Sequence, residues 1–421
     1  MRWIVLFRTV GFAVLLFVSS LGLAESQPRP DAPVLAGAGD YLPGTRSLTL
    51  NLGEQPDVEA LLNGGELRQV QRELNVRIWY PSDGAGTTTV VYQDAFGSGP
   101  NDPERPVRDF EFPGLAYEDA EPARLDQPAP LVVLSHGYPG SAVLMAWLAE
   151  HLASHGYVVA GIDHSGSTHA DKGHIALTVN HRPRDIRAVI DAFEQGGDAS
   201  EGLSVDASRT AVVGYSMGGY GALVAAGAGL EPALQALPMV PGQVMRDLFA
   251  PDYSGDERIG AVVALAPWGA PAALERAGLP PGLALWPKHQ IEGLRQPLLF
   301  VAGDQDDVSG YEDGVRWLWQ HSGGSRWLLT YHNARHNVAP MPPPPDSRHW
   351  PREFAHYAEP AWDVERINDI NRHYVLAFLD ATLRERNGKR AYLQEHQNGQ
   401  GEPKGFAERT ALGFSLEYLG D

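Results

Sequence analysis

The first regular pattern in the chain is an alternation of polar and apolar residues. It covers residues 46–52 and returns at residues 74–80, and a period of two residues is typical of a strand with one buried face. The second segment stops at a Pro-Ser-Asp-Gly turn at residues 81–84, so the two segments are predicted to form an antiparallel pair at the beginning of a sheet. Residues 84–130 are rich in Gly, Pro and acidic residues without a sustained period, which predicts surface loop rather than a separate domain.

From residue 131 onward, short and continuously apolar runs alternate with segments of helical spacing. Such runs suit strands that are buried on both faces of a parallel sheet, and the repeat of strand and helix predicts βαβ units. The predicted strands cover residues 131–135, 157–162, 210–216, 259–265, 297–303 and 326–331. The predicted helices cover residues 142–155, 183–194, 219–228, 311–320 and 364–383. Pro183 is expected in the first turn of its helix.

Two stretches interrupt this repeat, at residues 230–256 and 266–296. Ligands of open α/β sheets bind outside the carboxyl ends of the strands, so insertions at these places would overhang a site. The alternative is that the insertions only cover the flank of the sheet. We predict one α/β domain over residues 25–421, with its core at about residues 130–385 and a polar tail at residues 388–421.

Composition narrows the classes of function. The chain has 421 residues, no cysteine and a formal net charge of −19. Without cysteine there are no disulfides, thiolate nucleophiles or thiolate metal ligands. The negative charge would repel the phosphates of nucleic acid, so no nucleic-acid partner is expected.

The N-terminal residues have the pattern of a secretory signal peptide. Arg2 and Arg8 precede the apolar run at residues 10–18, and Gly22 and Ala24 are small residues at the positions that a signal peptidase reads. Residues 1–24 are therefore predicted to be removed, which implies an exported protein, periplasmic or extracellular, with no stable membrane anchor. The alternative is an uncleaved anchor, because the apolar stretch at residues 3–23 is nearly long enough to span a bilayer.

A Gly-x-Ser-x-Gly sequence at residues 214–218 joins the predicted strand 210–216 to a helix of small residues. Such a turn from strand to helix is sharp, holds its serine in a strained conformation and needs very small neighbours. Ser216 is therefore the candidate nucleophile. A serine hydroxyl is a weak nucleophile, so it needs a base, a carboxylate that orients the base, and hydrogen-bond donors for the oxyanion.

Candidates for the acid and the base follow two of the predicted strands. Asp306 lies in the loop after residue 303 and is the preferred acid, with Asp304 and Asp307 as alternatives. This acidic group could instead be a solvated turn or a helix N-cap, whereas the ligand alternation of a calcium loop is missing. After residue 331, His332 directly follows the strand and has little freedom. His336 lies further out, can reach back across the sheet, and is the predicted base.

Two backbone N–H groups are expected to bind the oxyanion. One belongs to Met217, which follows the nucleophile, and the other to Tyr138 in the loop at residues 136–140. The ring of Tyr138 would be offered to the acyl or alcohol part of a substrate. This chemistry requires no cofactor.

One histidine-rich loop is a candidate metal site. It contains His164, His169, Asp171 and His174. Their spacing fits no recognised zinc signature, so we predict that the chain holds no metal.

Together these motifs resemble a known family. They are the serine turn, the His-Gly-Tyr loop, Arg-Ile-Trp-Tyr-Pro at residues 77–81, Leu-Ala-Ser-His-Gly-Tyr at residues 152–157 and Gly-Ile-Asp-His-Ser-Gly-Ser-Thr at residues 161–168. They are similar to the α/β-hydrolases grouped as dienelactone-hydrolase-like, whose relatives are platelet-activating-factor acetylhydrolases and polyesterase-type cutinases. The resemblance covers about residues 39–385. It implies the α/β-hydrolase fold, with a mostly parallel central sheet flanked by helices and with cap-like insertions.

The resemblance also implies a function. The chain would be a secreted serine carboxylesterase with the triad Ser216, Asp306 and His336, acting on a small-molecule, lipid or polymeric ester through an acyl-enzyme. Ala-Pro-Trp at residues 266–268 is similar to the stretch where polyesterases place a tryptophan in the substrate cleft, although Trp268 could equally be a core residue. The alternatives are a peptidase or amidase of the same fold, or an inactive binding protein on a hydrolase scaffold.

Two features depart from the family. True dienelactone hydrolases use a cysteine nucleophile, which this chain cannot supply. The two insertions are long compared with compact cutinases, and insertions of this length can block the access of a polymer to the site.

Overall fold

A computed structural model describes residues 29–84, 88–99, 102–237 and 240–420. The predicted signal peptide, residues 1–24, lies outside the described residues. Within those ranges, no helix is both long enough and apolar enough to cross a bilayer.

The described residues form a single sheet of eleven strands. In chain order the strands are β1 (Leu42–Pro56), β2 (Gln69–Ser82), β3 (Thr89–Phe96), β4 (Arg108–Glu118), β5 (Ala129–Ser135), β6 (Val158–Asp163), β7 (Val205–Tyr215), β8 (Ile259–Leu265), β9 (Leu298–Gly303), β10 (Arg326–Tyr331) and β11 (Phe414–Leu419). Their order across the sheet is β11-β10-β9-β8-β7-β5-β6-β2-β1-β4-β3. The six strands β5 to β10 are parallel to one another. Strand β2 pairs with β6 and strand β11 pairs with β10, both in the antiparallel sense.

Helices cover both faces of this sheet. They are α1 (Val58–Leu62), α2 (Ala146–Ser154), α3 (Ile175–Gln195), α4 (Met217–Ala225), α5 (Pro271–Arg276), α6 (Lys288–Glu292), α7 (Trp317–His321), α8 (Pro351–Tyr357) and α9 (Val364–Thr382). On one side, α2 and α9 share an apolar cluster with alternate strand residues such as Val213. On the other side, α3 and α4 share a second cluster with the intervening residues such as Val212. Burial on both faces is why these strands read as continuous apolar runs.

The predicted antiparallel pair and all six predicted buried strands are present. Leu48 in β1 lies opposite Val76 in β2, within the expected antiparallel register. The interpretation of residues 84–130 as loop was wrong, because β3 and β4 form an antiparallel pair whose inner strand, β4, joins β1. The alternation in these strands is short, and Pro113 and Gly114 stand inside β4. Tyr92 and Phe110 lie on the buried face of this pair, and that face forms only when the two strands pair, so the sequence of each strand alone does not reveal it.

The helix start predicted at Pro183 was also wrong. Helix α3 begins at Ile175, so Pro183 lies well inside it. Proline cannot donate the hydrogen bond that the carbonyl of Val179, four residues earlier, would normally accept. The hydroxyl of Tyr220 in α4 donates to that carbonyl instead, at 2.9 Å. A tertiary contact therefore lets the helix continue through a residue that usually marks its beginning.

Two further segments differ from the predicted elements. The predicted helix at residues 311–320 is broken, because Asp313 and Gly314 have non-helical backbone angles and α7 begins only at Trp317. The polar tail contributes a strand, since β11 pairs with β10 along the edge of the sheet. Its alternation is too short and too remote from the core sequence to be recognised alone.

The β3–β4 pair also walls a cavity of about 660 Å³ beside the segment that follows β5. Asp94 in β3 accepts a hydrogen bond from the hydroxyl of Ser141 at 2.7 Å. Burial, together with the neighbouring carboxylate of Asp163, raises the pKa of Asp94 to about 7. The β3–β4 pair, which the sequence predicted to be loop, is thus hydrogen-bonded to Ser141, directly after the predicted oxyanion loop at residues 136–140.

Candidate active site

Ser216 stands between β7 and α4 in a strained backbone conformation. Its φ is 54° and its ψ is −115°, values that are rare for a residue with a side chain. The two flanking glycines make this turn possible. A Cβ atom at Gly214 would lie 2.1 Å from the carbonyl oxygen of Gly218, and one at Gly218 would lie 1.8 Å from that of Ser135. The turn therefore has the geometry that the Gly-x-Ser-x-Gly sequence predicts.

The structure brings Ser216, His336 and Asp306 together from the ends of three different strands. His336 Nε2 lies 3.0 Å from Ser216 Oγ, and His336 Nδ1 lies 3.0 Å from Asp306 Oδ2. All three are buried, with exposed fractions of 7% for Ser216, 8% for His336 and 3% for Asp306. They form one continuous chain of hydrogen bonds from the hydroxyl to the carboxylate.

Asp306 is held in place by its own loop. The backbone N–H groups of Val308 and Ser309 donate to Asp306 Oδ1 at 2.9 and 2.8 Å. Burial alone would raise the pKa of Asp306, but His336 and these two N–H groups lower it below its ordinary value. The carboxylate is thus ionised at neutral pH and able to fix the imidazole with its proton on Nδ1.

The two alternative acids have other partners. Asp304 Oδ2 lies 3.0 Å from His332 Nδ1, and Asp304 Oδ1 accepts from the backbone of Asn333 at 2.7 Å. Asp307 pairs with the exposed guanidinium of Arg335 at 3.3 Å. Of the three neighbouring aspartates, only Asp306 is hydrogen-bonded to His336, and His332 belongs to a separate pair.

Sequence reasoning missed Glu359, which fixes the loop that carries His336. Its buried carboxylate accepts from the backbone N–H groups of Arg335 and Asn337, the residues on either side of the histidine, at 2.8 and 2.9 Å. No local pattern marks this glutamate, because it lies in a separate loop later in the chain.

The predicted oxyanion donors lie beside the serine. Met217 is the first residue of α4, and Tyr138 follows Gly137 in the loop after β5. A Cβ atom at Gly137 would be only 3.6 Å from the Cβ of Ser216, so this loop packs directly against the nucleophile candidate. The hydroxyl of Tyr138 donates to the carbonyl of Gly173, which fixes the ring next to the beginning of α3.

Parts of this chain are similar in sequence to known proteins. A family model described as PET hydrolase-like matches residues 121–251. Cutinase est1 of Thermobifida alba is 36% identical over 124 residues, which are 28% of this chain and 38% of the cutinase. The bis(hydroxyethyl) terephthalate hydrolase of Streptomyces coelicolor is 36% identical over 111 residues, which are 26% of this chain and 32% of that enzyme. The chain therefore matches well under half the length of these curated relatives.

A structural match extends over much more of the chain. A ferulic acid esterase from Streptomyces cinnamoneus superposes with a TM-score of 0.53 at 24% identity, covering 85% of this chain and 94% of the esterase. The chain has the α/β-hydrolase fold. The predicted fold class and the resemblance to polyesterase-type cutinases are thus confirmed, while the narrower dienelactone-hydrolase-like label stays a prediction.

On this α/β-hydrolase framework, a buried arginine holds the loop at residues 136–140, which carries the predicted oxyanion donor Tyr138. Arg182 of α3 is fully buried and donates to the carbonyl of Gly137 at 2.7 Å, to Ser167 Oγ at 2.6 Å, and also to the carbonyl of His136. Burial lowers the pKa of Arg182 to about 9, so the guanidinium remains charged at neutral pH. A single planar group therefore ties two carbonyls of the loop to the scaffold.

A second Ser-His-Asp chain lies beneath this loop. His164 Nε2 is 2.8 Å from Ser135 Oγ, and His164 Nδ1 is 2.8 Å from Asp185 Oδ2, whose other oxygen accepts from Arg72 at 2.7 Å. Burial lowers the pKa of His164 to about 4, so its imidazole is neutral at pH 7. His164 is inaccessible to solvent, so this second set of hydrogen-bonded residues cannot reach a substrate and serves to position the end of β5.

The other residues of the histidine-rich loop are bonded separately. His169 Nδ1 bonds the carbonyl of Gly97 at 2.8 Å, His174 caps α3 through the N–H of Ala176 at 3.1 Å, and Asp171 accepts from Gly166 at 2.7 Å. Within the described ranges, no group of three His, Cys, Asp or Glu residues is arranged to hold a metal ion.

Replacing Arg182 by lysine is expected to lower the kcat of the ester hydrolysis proposed below at least 10-fold with little change in KM. One ammonium cannot bond all the carbonyls and hydroxyls that the guanidinium reaches, so the loop loses its fixed position, and a donor to the oxyanion acts mainly in the transition state. Steady-state kinetics well below the melting temperature measure this split.

Arg326→Lys is the matched control, because Arg326 at the beginning of β10 also donates to two backbone carbonyls, those of Trp319 at 2.7 Å and Gly324 at 2.8 Å, at the end of the strand away from the His336 loop. Equal losses of kcat in both variants would contradict a positioning role for Arg182.

Trp268, predicted from the resemblance, lies directly against the serine. Its backbone N–H donates to the carbonyl of Ser216 at 3.0 Å. Its indole is half-buried and packs against the apolar cluster on the side of α3 and α4. Trp268 therefore contacts the nucleophile candidate through its backbone and lines a pocket together with residues of the insertion at 230–256.

Proposed function

We propose that this protein hydrolyses carboxylic esters through an acyl-enzyme, with Ser216 as nucleophile, His336 as base and Asp306 as the orienting acid. The observation that carries the proposal is the unbroken chain of hydrogen bonds from Ser216 Oγ to the ionised Asp306. It is supported by the similarity to cutinases and to a bis(hydroxyethyl) terephthalate hydrolase, whose names describe ester cleavage.

The mechanism follows from the positions of these groups. His336 Nε2 takes the proton of Ser216 as Oγ attacks the ester carbonyl, and the N–H groups of Tyr138 and Met217 bind the tetrahedral oxyanion. The protonated His336 then gives its proton to the leaving alcohol, and the acyl group stays on Ser216. A water molecule, deprotonated by His336, attacks the acyl-enzyme and releases the acid. None of these steps requires a cofactor or metal.

We further infer that the enzyme is exported, on the basis of the signal-peptide pattern at residues 1–24. The substrate is proposed to be a small-molecule, lipid or polymeric ester. We expect the protein to bind no nucleic acid and, once the signal peptide is cleaved, to have no stable membrane anchor.

The proposal is tested by two measurements on the purified protein. p-Nitrophenyl acetate should be hydrolysed much faster than the matched amide p-nitroacetanilide; equal rates would favour an amidase, and no hydrolysis of either would favour a binding protein. A fluorophosphonate probe should form one adduct, located by peptide mapping at Ser216. An adduct at another serine, or none, would overturn the assignment of the nucleophile.

A further inference from the structure

An apolar pocket with a volume of about 60 Å³ lies between the insertion at residues 230–256 and the beginning of α3. All of the described residues that line it are apolar. The insertion supplies Leu230, Leu234, Leu237, Val240, Pro241, Met245 and Phe249; the rest are Ile175, Ala176, Val179, Trp268, Leu279 and Leu285. We name this feature the insertion pocket.

We propose that the insertion pocket binds the acyl chain of the ester, so that the enzyme prefers short apolar acyl groups of a few carbons. This inference rests on the proposed function at Ser216. Its first support is continuity with the site, because Trp268 lines the pocket and also donates its backbone N–H to the carbonyl of Ser216. When Ser216 Oγ attacks the ester carbonyl, the acyl chain on that carbonyl carbon can therefore lie along Trp268 and enter the apolar pocket.

The direction of the pocket identifies which part of the ester it receives. The residues that flank His336, such as Ala334 and Val338, pack into the apolar cluster on the α2 and α9 side of the sheet. Leu234 and Met245, which line the pocket, pack into the cluster on the α3 and α4 side. The leaving alcohol must lie next to His336, because this histidine protonates it. The acyl part therefore extends the other way, toward the insertion pocket.

The wall of the pocket is anchored rather than loose. Arg184 of α3 forms an ion pair with Asp247 of the insertion, with nitrogen to oxygen distances of 2.6 and 2.9 Å, and also donates to the carbonyl of Val244 at 2.9 Å. Arg187 donates to the carbonyl of Gly255 at the end of the insertion at 2.7 Å. A wall that is already ordered costs little further conformational entropy when a chain enters.

The test compares kcat/KM for p-nitrophenyl esters from acetyl to decanoyl with a series of alkyl acetates from methyl to butyl. In the wild type, each methylene buried in the pocket should raise kcat/KM about 4-fold. The butanoyl ester, with two more methylenes, should therefore exceed the acetyl ester about 16-fold, and the gain should end within a few carbons. The alkyl acetates should differ by less than about 3-fold. A gradient in the alcohol series and none in the acyl series would overturn the assignment.

Two substitutions at Leu237, a partly exposed lining residue, change the size of the pocket in opposite directions. Leu237→Trp should bring the butanoyl-to-acetyl ratio of kcat/KM down to about 1. Leu237→Ala should move the optimum to a longer acyl chain. Leu67→Trp is the control, because Leu67 is an exposed apolar residue that does not line the pocket, and its ratio should equal that of the wild type.

The insertion pocket is not the acyl site if the ratio and the optimum are unchanged in both Leu237 variants, or if Leu237→Ala folds and keeps its optimum while Leu237→Trp is insoluble. Failure of the proposed function would look different, because the wild type would then hydrolyse no ester, or Ser216→Ala would be as active as the wild type.

Discussion

Replacing Ser216 by alanine is expected to lower the kcat of ester hydrolysis by about 10⁵-fold or more. The substitution removes the only atom that can form the acyl-enzyme, while the oxyanion donors and the histidine remain to support a small residual rate. Alanine lacks only the hydroxyl, so the backbone turn and the packing of β7 against α4 should be retained. Initial rates on p-nitrophenyl acetate, measured at high enzyme concentration, report the loss.

Ser322→Ala is a suitable control for this experiment, because Ser322 is also buried and its hydroxyl donates to the carbonyl of Leu318 in the adjoining helix α7, at 2.7 Å. Its kcat should stay within about 3-fold of the wild type. If Ser216→Ala keeps a rate comparable with the wild type, the serine mechanism is wrong. The two variants should have similar melting temperatures, which excludes loss of fold as the cause of inactivity.

Asp306→Asn is expected to lower kcat by about 10⁴-fold with little change in KM. The amide oxygen of asparagine can still accept the N–H groups of Val308 and Ser309, so its NH₂ group then faces His336 Nδ1. Facing a donor, Nδ1 must act as an acceptor, and the proton moves to Nε2. In that tautomer the histidine cannot take the proton of Ser216 Oγ.

The neighbouring aspartate provides the comparison for this prediction. Asp304→Asn weakens a partly exposed pair with His332 and should change kcat by less than about 10-fold, since such pairs contribute up to about 1 kcal/mol. Parallel kinetics of the two variants across pH 6 to 9 distinguish the roles of the two residues. A loss in Asp304→Asn as large as that in Asp306→Asn would reopen the choice of acid.

Much of the fold could be predicted because its strands are buried on both faces. Their apolar runs are continuous, and that signal survives without any knowledge of neighbours. The strands β3, β4 and β11 lie at or near the edges of the sheet, where short patterns with polar, proline or glycine positions resemble loop. The start of α3 was misplaced for a related reason, since the hydroxyl of Tyr220 that bonds the carbonyl of Val179 comes from another helix.

The sequence by itself predicted the turn at Ser216, because such a turn needs very small residues on either side of the serine and the chain has glycine at positions 214 and 218. It also predicted the order of the proposed nucleophile, acid and base, because each candidate follows a strand that is recognisable from its apolar run. It narrowed the acid to three aspartates and the base to two histidines. Only the tertiary structure decided that Asp306 is the aspartate that bonds His336, and that the insertion lines an apolar pocket together with Trp268. It also showed that Arg182 holds the loop after β5 and that Glu359 holds the loop that carries His336. These contacts join residues far apart in the chain, and they depend on side-chain directions that no local pattern encodes.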